Sequence, residues 1–265
     1  MKNKCPHLWT LLNEKARRIP PKGIQDFVSG PLGTEGQRQL QLADARIAGL
    51  IARTSEAIVG GAYRRDLSGV DTEQKLAELL CEITLVEAAA RISDSPPILR
   101  PKTGTRKQCD VKVTLAGYEV YGEVKRLADT WEGGVRSIAK SSPDSKPPDT
   151  TRPRAMDLFS KLKEVHTQPP SSSLSVLFLF HPSIWNTPVY IKQALFGDAA
   201  GLDESLAPPL HQDGLFALEE WRNVSACAHT RVNNDGTLSI VQVWRNPKAN
   251  VVLPETVRER LAVAG

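Results

Sequence analysis

Asp110, Glu123 and Lys125 are the residues of this chain whose types and spacing could do chemistry. The segment from Cys109 to Leu115 (CDVKVTL) alternates polar Asp110, Lys112 and Thr114 with apolar Val111, Val113 and Leu115, the period-two pattern of a half-buried strand. Tyr118 to Lys125 (YEVYGEVK) reads as its partner. With Ala116-Gly117 as a two-residue turn, Leu115 faces Tyr118, and counting outward places Asp110 opposite Glu123 on one face. Lys125 falls on that face too, while Val120 and Val124 share the other with Val111 and Val113. Opposed residues on an antiparallel pair have Cβ atoms about 4.5 to 5.5 Å apart, and like charges there are destabilising. A hard divalent cation held by both carboxylates relieves that repulsion, with Lys125 beside it as a further positive charge. A one-residue slip would send the two acids to opposite faces. An ordinary hairpin with all three groups in water is the alternative the same residues allow.

The pattern D-x12-E-x-K resembles the motif of the PD-(D/E)XK nuclease superfamily, the restriction-endonuclease-like fold, whose motif lies on such a hairpin. The family's first acidic residue falls on Asp110, its second on Glu123 and its lysine on Lys125, while Cys109 stands where the usual proline would be. The resemblance implies a metal-dependent nuclease that hydrolyses phosphodiester bonds, with DNA the expected substrate ahead of RNA. It implies Mg²⁺ or Mn²⁺ on Asp110, Glu123 and the Val124 carbonyl, with Lys125 orienting or activating the attacking water. An all-oxygen ligand set suits those ions better than Zn²⁺. Many members are homodimers. The alternative function is a nuclease-like fold that has become a nucleic-acid-binding or regulatory module without catalysis.

The family also places a helix before the hairpin, often with a further glutamate that reaches the metal. Residues 73–92 (EQKLAELLCEITLVEAAARI) fit, with Leu76, Leu79, Leu80, Ile83, Val86 and Ala90 at helical spacing. Asp71 or Thr72 serves as N-cap, and Ser93-Asp94-Ser95-Pro96-Pro97 stops the helix. Glu82 ranks first as the helix glutamate because it leaves the right helix length before the next strand, and Glu78 ranks second. Glu87 stays open: a carboxylate inside the apolar stripe needs a partner, and a metal is one.

Ile98-Leu99 begins a first strand, and Leu174 to Phe180 (LSVLFLF) suits a strand covered on both faces. Between them, Pro153 to His166 reads as an amphipathic helix, after a Pro, Ser and Thr-rich connection at 141–153. The class is α/β, a mixed α+β sheet flanked by helices, and the order matches the α-β-β-β-α-β core that the resemblance implies. The expected division is an N-terminal helical extension at 1–70, a nuclease-like core at 71–182 and a C-terminal extension at 183–265. The first carries two helices, Leu8 to Arg18 and Gln37 to Ile58, no evident chemistry, and a turn at Gly30–Gly36 that lacks a phosphate loop's Gly-Lys-Ser/Thr ending. The last carries a helix near Val189 to Phe196 and a hairpin of Ser225 to Val232 with Leu238 to Trp244, turned at Asn233-Asn234-Asp235-Gly236.

The 265 residues carry a formal charge of +4. The basic groups are uneven: Arg100, Lys102, Arg106, Lys107, Lys112, Lys125 and Arg126 crowd the approach to the motif. A polyanion suits that surface, and Arg100, Lys102, Arg106, Lys107 and Arg126 are the expected nucleic-acid contacts. The four cysteines, Cys5, Cys81, Cys109 and Cys227, stand singly, as in a reducing compartment. The five histidines show neither metal-type clustering nor pairing with a nucleophile motif. No run approaches the roughly 18 apolar residues of a membrane span, and the run from Cys5 to Leu12 lacks the form of a secretory signal. A cytoplasmic protein with no membrane partner is expected.

Overall fold

The computed structural model describes residues 4–13, 22–29, 33–102, 108–126, 162, 169–180, 187–197, 200, 208–232 and 238–263. Four helices come first: α1 (Pro6–Asn13), α2 (Lys22–Ser29), α3 (Gly33–Arg53) and α4 (Glu56–Ser68). The single helix expected over Gln37 to Ile58 is two, because Ser55 takes extended backbone and its hydroxyl accepts the Ile58 N–H at 3.2 Å, capping a new helix. Gly33 to Gly36, expected in a turn, form the first turn of α3. Helix α5 (Glu73–Arg91) is capped by Thr72, whose hydroxyl accepts the Lys75 N–H at 3.2 Å.

The described strands are β1 (Ile98–Leu99), β2 (Val111–Leu115), β3 (Tyr118–Arg126), β4 (Leu174–Phe180), β5 (Ala226–Val232) and β6 (Leu238–Arg245). They form one mixed sheet in chain order. The pairs β1–β2, β2–β3 and β5–β6 are antiparallel, whereas β3–β4 and β4–β5 are parallel. Helix α6 (Thr187–Phe196) and two 3₁₀ turns, Leu215–Ala217 and Glu219–Asn223, lie between β4 and β5, and α7 (Glu255–Ala262) follows β6. The protein is therefore of the α/β class. No described helix is long and apolar enough to cross a membrane.

Alternation along the strands builds two cores. Val111, Val113, Val120, Val124, Val176, Phe178, Ala226 and Ala228 belong to one buried cluster with residues of α1 to α5. Leu177, Leu179, Cys227 and Trp244 point the other way and join Ile191, Leu195 and Phe196 of α6 with Phe216 and Trp221. Strand β4 is covered on both faces, as its apolar run requires. The 1–70 helices thus share a core with α5 and the sheet, and β5–β6 extend that sheet. The expected helix at Pro153–His166 lies outside the described residues apart from Leu162, which is helical and buried. The connection at 141–153 and the turn at Asn233–Gly236 also lie outside them.

Candidate functional site

The hairpin turns as expected. Ala116 and Gly117 have φ of 50° and 80°, the two positive values of a type I′ turn, and Leu115 pairs with Tyr118. The ladder then runs in the expected register to Val111 opposite Gly122 and ends there, one pair short of Asp110 opposite Glu123. Asp110 forms a bend instead. Its N–H donates to the Gly122 carbonyl at 3.0 Å, its carbonyl accepts the Arg100 N–H at 2.9 Å, and its Oδ2 accepts the Val124 N–H at 2.7 Å. The regular pair would set two carboxylates face to face. The bend moves Asp110 to a backbone donor and still keeps it beside β3.

Glu123 is buried, with 3% of its surface exposed, and its Oε1 lies 2.7 Å from Lys125 Nζ. Glu82 of α5 is drawn in from the helical layer, its Oε1 accepting from Arg100 Nη2 at 3.0 Å. Glu82, Asp110 and Lys125 line a cavity of about 650 Å³ together with Arg65, Asp66 and Glu78, with Val124 and Arg126 on its β3 side, whereas Glu123 and Arg100 reach it through their partners Lys125, Asp66 and Glu82. Burial, then the charge of Glu123 and then that of Glu82, pushes the Asp110 carboxyl well above the usual aspartate range, against the opposing Val124 hydrogen bond and Lys125. Burial likewise raises Glu82, with Arg100 opposing. Burial would lower Lys125, but its pairing with Glu123 and the nearby Asp110 and Glu82 outweigh it and hold the amine above its ordinary value.

The remaining expected residues divide clearly. Glu78 is exposed at the cavity wall and accepts a hydrogen bond from Gln74 at 3.1 Å. Glu87 lies elsewhere: its partner is Arg91 at 3.2 Å and it abuts Gly49 of α3, so the carboxylate in the apolar stripe is satisfied by an arginine. Arg100, expected to face a polyanion, is turned inward between Asp66 and Glu82 and stacks over the Tyr63 ring at 5.1 Å. Lys112 is taken by Glu119 at 2.6 Å, Lys102 is exposed, and Arg106 and Lys107 lie outside the described residues.

Residues 1–70 carry no evident catalytic motif in the sequence, yet α4 supplies Tyr63 and Asp66 beside the site. Their i, i+3 spacing was the readable signal, since it puts an aromatic and an acid on one helix face. Among the described residues, no group of three or more His, Cys, Asp or Glu side chains is arranged to hold a metal ion. Asp110, Glu123 and the Val124 carbonyl would offer only oxygen donors, the chemistry that Mg²⁺ takes when it binds through one or two carboxylates and keeps several waters. No protein-family model, curated protein or solved structure matches the chain.

Proposed function

We propose that the protein is a Mg²⁺- or Mn²⁺-dependent nuclease of the restriction-endonuclease-like fold, cleaving phosphodiester bonds in DNA. The observation that carries this reading is the Asp110 carboxyl, held by the Val124 amide beside the buried Glu123–Lys125 pair and driven toward protonation by burial and by Glu123. A group in that state accepts either a proton or a cation. The order α5, β1, the β2–β3 hairpin and then β4 supports this reading, since it is the order of the core that the D-x12-E-x-K resemblance implies apart from that core's second helix, which lies outside the described residues except for Leu162. Ligands of open α/β sheets also bind beyond the carboxyl ends of parallel strands, and Glu123 and Lys125 are near that end of β3.

Asp110, Glu123 and the Val124 carbonyl would hold the cation. When bound, it would stabilise charge on the attacking and leaving oxygens and lower the pKa of a bound water. The chain's own contribution is positional. The Val124 N–H fixes Asp110, the Glu123 pair fixes Lys125, and the ammonium offers hydrogen bonds to an attacking water and charge to a phosphate oxygen. Arg126 and Lys102 supply further phosphate contacts.

The competing reading is a nucleic-acid-binding module without catalysis, favoured by the engagement of Glu82 with Arg100. Plasmid, linear, single-stranded and branched DNA and RNA, incubated with and without Mg²⁺, separate the two. Mg²⁺-dependent products lost in Asp110→Ala support the nuclease, and equal binding with chelator and no products supports the module.

A further inference from the structure

Arg100 holds two carboxylates, an aromatic ring and a backbone carbonyl beside the site, and it does so on strained backbone. Its φ is 48°, a left-handed value that a residue with a Cβ rarely adopts and that persists where surrounding contacts over-determine it. Nη1 lies 2.6 Å from Asp66 Oδ2, Nη2 lies 3.0 Å from Glu82 Oε1, and the guanidinium sits 5.1 Å above the Tyr63 ring centroid. Its own N–H donates to the Asp110 carbonyl at 2.9 Å. One residue thus ties α4 and α5 to the backbone of the acid that leads the site.

We propose that Arg100 is a positioning residue that keeps the Glu82 carboxylate out of the cation's ligand shell, so that Asp110 and Glu123 are the side-chain ligands and Glu82 serves to orient Arg100. The inference rests on the cation-binding reading of Asp110 and Glu123. If Glu82 turned to a cation, the partly buried guanidinium would lose one of the two carboxylates that hold it. The arginine's fork fits two acids from two helices at once, a geometry a lysine would not supply. Helix α5 then contributes position to the site rather than a ligand.

Mn²⁺ titrations of the full chain, following free Mn²⁺ by electron paramagnetic resonance, test this without any activity assay. Asp110→Asn should weaken binding by about tenfold or more. Glu82→Gln, which retains an acceptor for Arg100, should stay within about twofold of the unmodified protein, since no ligand is lost. Arg100→Gln frees Glu82 and should tighten binding several-fold, with the double variant R100Q/E82Q returning to the starting affinity. A Glu82→Gln protein weakened as far as Asp110→Asn would overturn the inference while leaving the cation reading intact. An unmodified protein that takes up no Mn²⁺ at millimolar concentration would overturn both. If circular dichroism finds Arg100→Gln unfolded, the comparison of Glu82→Gln with Asp110→Asn decides alone.

Discussion

The Val124 N–H donates to Asp110 Oδ2 at 2.7 Å, so the acid that leaves the hairpin ladder is held by the strand carrying Glu123 and Lys125. This contact favours the charged carboxylate, yet burial and the charges of Glu123 and Glu82 dominate and raise its pKa. The folded chain therefore binds more protons than the unfolded chain between the ordinary aspartate value and the raised one. Asp110's contribution to stability is present at the acidic end of that window and is lost as pH rises through the raised value. Thermal melts in chelator should show this fall, and Asp110→Asn should flatten it and raise the melting temperature near neutral pH. A variant that melts at or below the unmodified protein there would contradict the assignment.

On the proposed reading, a cation on the same carboxylates would remove that penalty. Mg²⁺ or Mn²⁺ at about a hundred times its dissociation constant should stabilise the fold by about 2.7 kcal/mol, because it binds only the folded site. Asp110→Asn and Glu123→Gln should lose this gain, and Glu87→Gln, whose parent pairs with Arg91 away from the cavity, should keep it. Differential scanning calorimetry with and without the ion measures the difference.

Gly122 lies opposite Val111, the last regular pair before the bend. A Cβ built there would meet Val111 Cγ1 at 2.8 Å and Phe178 Cε2 at 3.1 Å, and both neighbours are buried core groups with little room to retreat. Gly122→Ala should cost about 1–3 kcal/mol through overpacking. The strain falls between Asp110 and Glu123, so on the proposed nuclease reading cleavage should drop by more than the loss of folded protein explains. Chemical denaturation and rates normalised to folded fraction test both parts.

What could be read in the sequence follows from how locally each feature is determined. Period-two alternation, a Gly-bearing turn and a capped helix are set by near neighbours, so β2, β3, α5 and the β5–β6 pair were legible. Asp110's bend was not, because it depends on burial by α5 and on a side chain displacing a ladder contact, neither of which strand periodicity encodes. The same holds for Arg100, whose basic surroundings in sequence suggested an outward surface. Its partners Tyr63, Asp66 and Glu82 lie 37, 34 and 18 residues away along the chain. Glu87 illustrates the converse error of scale. A buried acid does need a partner, but an arginine four residues on meets that need without a metal.

Ala116 occupies the first central position of the turn with φ of 50°, where a residue with a Cβ pays for left-handed backbone and asparagine is better tolerated. It is exposed, and the adjoining Gly117 N–H is already held by Asp94 Oδ2 at 3.3 Å, so the substitution disturbs no packing. Ala116→Asn should therefore stabilise the chain by about 0.5–1 kcal/mol, read as a higher urea midpoint at unchanged slope. Because this turn sets the register that brings Asp110 to β3, the stabilised protein should match the unmodified protein in an Mn²⁺ titration. Inserting one residue between Ala116 and Gly117 should do the opposite, forcing Val111 and Val113 out of the core or Asp110 away from Val124. An insertion variant that still bound Mn²⁺ with the original affinity would show that the hairpin register does not govern the site.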